Sequence, residues 1–193
     1  MTTIDRAYVT VVSGLPRSGT SLMMQMLAAG GMPVLTDELR GPDPDNPRGY
    51  YEFEPVKRSR HDPSWLVGTQ GKAVKLVHLL LYDLPPEYCY RVIFMKRRLS
   101  EVLASQRAML DRQGKKGANL SHARLGEIYE SQLGKLEIWL NQQSNFSVLS
   151  VDYNELIADP RIATDAIASF VEGGLDIIAM TKMVDPLLYR QRA

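Results

Sequence analysis

Only one cysteine, Cys89, occurs in the 193 residues, so no intrachain disulfide can hold the chain together and nothing in it asks for an oxidising compartment. Long hydrophobic runs are missing too: the apolar stretches fall far short of the roughly 20 residues that span a bilayer. The first residues, Met1-Thr2-Thr3-Ile4-Asp5-Arg6, show no basic region followed by an apolar one, so no secretory signal is read and the expected location is cytoplasmic. There is no surplus of charge, with 23 Lys+Arg against 22 Asp+Glu and a net charge of +1. Bulk attraction for a polyanion is thereby excluded, and nucleic acid is not an expected partner. An anion site in such a chain must be built locally, from a few aimed groups. His61, His78 and His122 are scattered and there is no cysteine pair, so no spacing suits a metal ion. Repeats, low-complexity tracts and linkers are absent as well, which leaves residues 1–193 to be read as one domain.

What is present is an alternation of strands and helices. Tyr8-Val9-Thr10-Val11-Val12-Ser13 is β-branched, almost continuously apolar and stopped by Gly14, as in a strand buried on both faces. From Ser21 the spacing turns helical: Leu22, Met23, Met26 and Leu27 share a face, the methionines read as core filling, and Gly30-Gly31 end the helix. Pro42, Pro44 and Pro47 keep the next stretch irregular, and residues 41–49 read equally well as a lid over a site or as a disordered loop. Strands are expected at Ala73–Val77 and Arg91–Met95, with a Pro85-Pro86 turn between them. Helices are expected from near Ser100 to Gly114 and from near Ser121, the second striped by Leu125, Ile128, Tyr129, Leu133, Leu136 and Leu140. Val148–Val151 reads as a fourth buried strand. Asp159-Pro160 opens a last helix whose inward face is Ile162, Ala166, Ile167 and Phe170. The alternation predicts a three-layer α/β/α fold around a parallel sheet of four or five strands.

The informative segment is Ser13-Gly14-Leu15-Pro16-Arg17-Ser18-Gly19-Thr20-Ser21, between a buried strand and an apolar-striped helix. Gly14 and Gly19 allow backbone conformations closed to other residues, so successive N–H groups can turn inward on an anion. The helix that follows adds about half a positive charge at its N-terminus. Arg17 offers a planar fork to phosphate or sulfate, and Thr20 and Ser21 add hydroxyl donors. The loop departs from the nucleoside-triphosphatase signature G-x-x-x-x-G-K-[ST], because Thr20 stands where the lysine should be.

Pro16-Arg17-Ser18-Gly19-Thr20-Ser21-Leu22 resembles the 5′-phosphosulfate loop of sulfotransferases that use PAPS (3′-phosphoadenosine 5′-phosphosulfate). A second segment, Arg91-Val92-Ile93-Phe94-Met95-Lys96-Arg97 followed by Ser105, is similar to the family's strand that ends in Arg with Ser eight residues later. In the family that pair binds the 3′-phosphate. Val151-Asp152-Tyr153-Asn154-Glu155-Leu156 resembles a late Tyr-Glu-x-Leu element whose tyrosine lies near the adenine. The resemblance covers residues 8–160 or so and implies PAPS as cofactor and PAP as product. It implies a cofactor site of Pro16, Arg17, Ser18, Gly19, Thr20, Ser21, Arg97, Ser105 and Tyr153. The family's Lys-Gly phosphate loop near the C-terminus is missing; Arg190 and Arg192 either replace it or form a plain basic tail.

Sulfuryl transfer needs an in-line acceptor, a base for its proton and positive charge on the leaving phosphate. Three groups compete for the base. Glu38, with Arg40 two residues on, lies twenty-one residues after Arg17, a spacing similar to tyrosylprotein sulfotransferases. The resemblance makes Glu38 the base, Arg40 its assistant and Arg17 the group on the leaving phosphate. Glu52 and Glu54 form an aromatic-flanked acidic segment, Gly49–Pro55, suited to an acceptor pocket. His78 follows the Ala73–Val77 strand, but Lys75 precedes it by three residues where the cytosolic enzymes have two. An odd offset sends the two side chains to opposite faces of a strand. Lys75 itself is within reach of a transferred sulfonate. The expected function is sulfonate transfer from PAPS to a hydroxyl or amine of a small acceptor. The rivals are a P-loop kinase or hydrolase using ATP or GTP, and a PAPS- or PAP-binding protein without catalysis.

Overall fold

The computed structural model describes residues 7–37, 39–44, 46–115, 117 and 120–191. Four parallel strands form one sheet: β1 (Tyr8–Gly14), β2 (Ala73–Val77), β3 (Cys89–Lys96) and β4 (Phe146–Asp152), in the order β2-β1-β3-β4. β1 pairs with β2 through Thr10–Ala73 to Gly14–Val77 and with β3 through Tyr8–Cys89 to Gly14–Met95. The chain leaves β1 for one neighbour and later returns to the other, so the strand order reverses at β1. The crevice beyond the carboxyl end of such a switch strand is where open α/β sheets bind ligands.

Strand alternation sorts the core into two halves. Val12, Ile93 and Met95 point to one face, where Met23, Met24, Met26 and Leu27 of α1 (Thr20–Ala29) pack with residues of the later helices. Val9, Val11, Val74, Tyr90, Val92 and Phe94 point to the other. There they meet Leu136 and Leu140 of α3 (His122–Leu140) and the short 3₁₀ turns at Glu54–Arg58, Ser64–Leu66 and His78–Asp83. The methionines of α1 are core filling, as their spacing predicts. The expected α/β/α architecture with a parallel sheet is the observed one.

Helix starts follow their caps. Ser121 accepts from the Arg124 N–H at the head of α3. Asp152 and Asp159 cap α4 (Tyr153–Ala158) and α5 (Pro160–Phe170), the latter with proline at its first turn. α2 (Leu99–Arg112) carries Ser105 toward the end of β1, and α6 (Ile177–Lys182) completes the helices.

Two expectations need correction. The fourth strand is not buried on both faces: β4 is an edge strand, and Val148 is 42% exposed. Of the face predicted for α5, Ile167 is fully buried and Phe170 half-buried, but Ala166 is exposed and Ile162 is 74% exposed. Thr164 and Ala168 are buried in their place, because the helix packs on β4 and α6 along a narrower stripe.

Candidate functional site

The turn after β1 is built around two glycines. Gly14 has φ 152° and Gly19 φ 102°. A Cβ on Gly14 would stand 2.5 Å from Ser18 Oγ and 2.6 Å from the Met95 carbonyl oxygen. A Cβ on Gly19 would stand 2.4 Å from the ring of Tyr153. Arg17, between them, takes φ 76°, a left-handed conformation uncommon for a residue with a side chain. No side chain caps α1, so the N–H groups of its first turn are left to the crevice.

That crevice is a cavity of about 670 Å³. Its walls include Pro16, Arg17, Gly19, Thr20 and Ser21 from the loop, Lys75 from β2, Arg97 and Ser105 from the β3–α2 junction, and Tyr153 from α4. Four segments far apart in sequence thus converge there. Ser18 is the exception in the predicted loop. It is 1% exposed and lies beneath the loop, with its hydroxyl buried and without a hydrogen-bond partner.

Arg17 links the two predicted phosphate elements. Its Nε donates to Ser105 Oγ at 3.0 Å, and its carbonyl accepts from Arg97 Nη1 at 3.2 Å. Burial, with help from Arg97 and Arg112, lowers the Arg17 pKa, and Tyr50 opposes the shift. Arg97 is deeply set: its guanidinium lies 4.6 Å from the Tyr153 ring centroid and 5.4 Å from that of Tyr189. Its Nε donates to Glu101 Oε2 at 2.9 Å, in an ion pair whose side chains are 8% and 0% exposed. Burial pushes the Glu101 carboxyl up, but hydrogen bonds from Tyr189, Arg97 and Asn154 outweigh it and hold the pKa low.

Lys75 stands on the other side of the loop. Its Nζ donates to the Tyr50 carbonyl and, at 3.4 Å, to Ser21 Oγ. Burial takes its pKa down to about 8, Glu52 pulling the other way. Lys75 therefore stays mostly an ammonium at neutral pH, and an approaching negative charge favours that form further.

Glu38 lies outside the described residues. Among the described residues Arg40, read from sequence as its assistant, pairs with Glu52 at 3.2 Å and Asp43 at 3.6 Å, its guanidinium 3.4 Å from the Tyr50 ring centroid. Glu52 and Glu54 both line the cavity. Glu54 is paired with Lys57. The Tyr50 hydroxyl donates to Asp43, and burial followed by that bond raises its pKa to about 12, so it stays a phenol. His78 is turned away from the cavity. It is 3% exposed, shares a hydrogen bond of 3.0 Å with Gln132 Oε1 and abuts Tyr129. Burial lowers its pKa.

Sequence reasoning overlooked Glu101, Arg112 and Tyr189. The interval of four from Arg97 to Glu101, a helical pairing distance, was the available signal for the first. Arg190 lines the cavity, and Arg192 lies outside the described residues.

The donor set suits an oxyanion. Two glycines let the loop pack tightly on Ser18, Met95 and Tyr153, and Arg17, Lys75, Thr20 and Ser21 supply cationic and hydroxyl donors around the opening.

No protein-family model and no curated protein matches this sequence. Solved structures do match. A sulfotransferase domain from the Synechococcus PCC 7002 olefin synthase aligns with TM-score 0.58 at 15% identity, over 98% of this chain and 89% of that one. Retinol dehydratase, solved with androsterone and the inactive cofactor PAP, aligns with TM-score 0.55 at 16% identity, over 93% of this chain and 64% of that one. Sheet order, the loop at the switch strand and these alignments together give the chain the α/β fold of sulfotransferase domains.

Proposed function

We propose that the protein transfers a sulfonate from PAPS to a hydroxyl or amine of a small acceptor. The observation that carries this reading is the link from the β1–α1 loop to the β3–α2 junction through Arg17, inside one cavity that also holds Lys75. The Gly14–Ser21 loop, Arg17 and Lys75 would hold the phosphosulfate, Arg97 and Ser105 the 3′-phosphate, and Tyr153 the adenine side. Bound PAPS would supply the sulfonate and leave as PAP.

The chain's own groups then have defined tasks. Arg17 and Lys75 present positive charge where negative charge grows on the leaving phosphate, and they do so from a partly desolvated wall, where such charge counts for more than in water. Glu52 accepts the acceptor's proton, with the Arg40 guanidinium at 3.2 Å fixing the carboxylate's orientation. Glu38, the base that the family resemblance implies, is the alternative to Glu52.

The test is a transfer assay with PAPS labelled in its sulfonate and a panel of phenols, alcohols and amines. Label should pass to at least one acceptor in the wild type, and Arg17→Ala should lose turnover by a larger factor than it loses PAP affinity. Equal losses would leave Arg17 as a binding group alone, and an absence of transfer to every acceptor class would count against the enzyme reading.

A further inference from the structure

The cations and hydroxyl assigned above to anion oxygens already hold main-chain carbonyls. The Tyr50 carbonyl accepts from Ser21 Oγ at 3.2 Å and from Lys75 Nζ. At the other end of the cavity the Gln191 carbonyl accepts from Arg97 Nη2 at 2.9 Å. The backbone turns sharply beside the first of these contacts, with Tyr51 at φ 53°.

The two segments that supply those carbonyls are fastened to each other. Arg48 donates through Nη1 to the Met183 carbonyl at 2.6 Å and pairs through Nη2 with Asp185 at 3.1 Å. Arg190 Nη1 donates to the Pro44 carbonyl at 2.6 Å. The C-terminal segment is also anchored at Tyr189, whose hydroxyl donates to Glu101 Oε1 at 2.6 Å and accepts from Asn154 Nδ2 at 2.7 Å.

We infer that Pro44 with residues 46–52, and residues 183–191, form a two-part internal plug: their carbonyls at Tyr50 and Gln191 take the places of anion oxygens, and the ties through Arg48 and Arg190 make both parts open together. The inference rests on reading Ser21, Lys75 and Arg97 as the anion-binding groups. The physical logic is a competition. A buried ammonium or guanidinium without an acceptor is costly, and a carbonyl oxygen meets that need in the closed form. A phosphate or sulfate oxygen makes a charge-assisted bond about twice as strong as a neutral one, so a fitting anion displaces the carbonyl. Opening the plug lowers the apparent affinity, because only the open fraction of molecules is competent to bind. Linking the two parts means that a ligand reaching both ends of the cavity gains more from opening than one filling only the loop.

Arg48 lies outside the cavity lining and carries a positive charge close to it, which makes its removal a sharp test. Plain electrostatics expects Arg48→Ala to weaken anion binding. The plug expects the opposite, a dissociation constant lower by roughly three- to thirtyfold, since cutting the tie raises the open fraction. Arg190→Gln severs the other tie, also removes a cation, and carries the same expectation should Arg48→Ala fold poorly. Calorimetric titrations with PAP and, separately, inorganic pyrophosphate decide the matter. Tighter binding in the variants sustains the plug, and unchanged or weaker binding overturns it. If the variants tighten pyrophosphate while PAP binds to none of the proteins, the plug stands and the PAPS reading falls. If PAP binds and the variants leave its affinity unchanged, the plug falls and the PAPS reading stands. If neither anion binds any of the proteins, both fall.

Discussion

Burial holds the Lys75 ammonium at about 8 in the folded chain, whereas an unfolded chain keeps that proton up to about 10.5. Between those values the unfolded state binds more protons, so the Lys75 contribution makes stability rise with pH across that window. Subtracting the pH profile of Lys75→Met from that of the wild type, by chemical denaturation, should expose this slope; a flat difference would show that Lys75 is not desolvated. An anion beside Lys75 favours the charged form, so PAP affinity should fall as pH rises through about 8 in the wild type. The same titration in Lys75→Met should show no such step. Glu52 is a second residue with a task of its own. Glu52→Gln should keep PAP affinity and lose roughly 10²–10⁴-fold in turnover. Steady-state kinetics with an identified acceptor checks this, and wild-type turnover would return the base to Glu38. The sequence carried the identity of Lys75 and the odd offset that parts it from His78. It did not carry the partner of Arg40, because a pairing with Glu52 depends on how the irregular stretch after α1 folds back.

The segment from β1 through the loop into α1 was readable in advance, since a buried strand, two glycines and an apolar stripe each constrain a few neighbouring residues. β4 and α5 were not. An apolar run gives the same local pattern whether its strand lies in the middle of a sheet or at the edge, and only the strand order makes Val148 half-exposed. Likewise Ile162 has helical spacing from Ala166, yet α6 and β4 cover only part of that face. The loop itself yields an element-scale prediction. Gly14→Ala adds a methyl 2.6 Å from the Met95 carbonyl and 2.5 Å from the buried Ser18 hydroxyl at φ 152°, where the Met95 backbone resists displacement. The variant should lose about 2–4 kcal/mol of stability, through strain and overpacking together. Thermal unfolding measures it; a loss below about 0.5 kcal/mol, the range of neutral surface changes, would mean that the turn relaxes freely.

Across the whole molecule, the cavity gathers Arg17, Lys75, Arg97, Ser105 and Tyr153 from segments up to 136 positions apart. Motif order made this wall of the cavity legible, because each motif fits into a strand end and the turn after it. The C-terminal contribution was not legible: Tyr189, Gln191 and their contacts with Glu101 and Arg97 follow from where the last helix delivers the chain. The 3′-phosphate assignment joins two of those segments and is tested there. Arg97→Ala should weaken PAP about tenfold to a few hundredfold, the loss of a charge-assisted bond, and Ser105→Ala less. AMP, which lacks the 3′-phosphate, should bind both variants nearly as well as it binds wild type. Arg97 also neutralises the buried Glu101, so Arg97→Ala should melt lower as well, and the ratio of PAP to AMP affinity is the quantity to compare. Equal weakening of both ligands would remove Arg97 from the 3′-phosphate.

A cavity made for PAPS and its product is tested most directly by thermal unfolding with PAP and with magnesium-ATP at equal concentrations. A ligand at 100 times its dissociation constant stabilises the fold by about 2.7 kcal/mol, a shift of several degrees for a chain of this size. PAP should produce such a shift and magnesium-ATP a far smaller one. A larger shift with magnesium-ATP would contradict the PAPS reading and give the cavity to a nucleoside triphosphate.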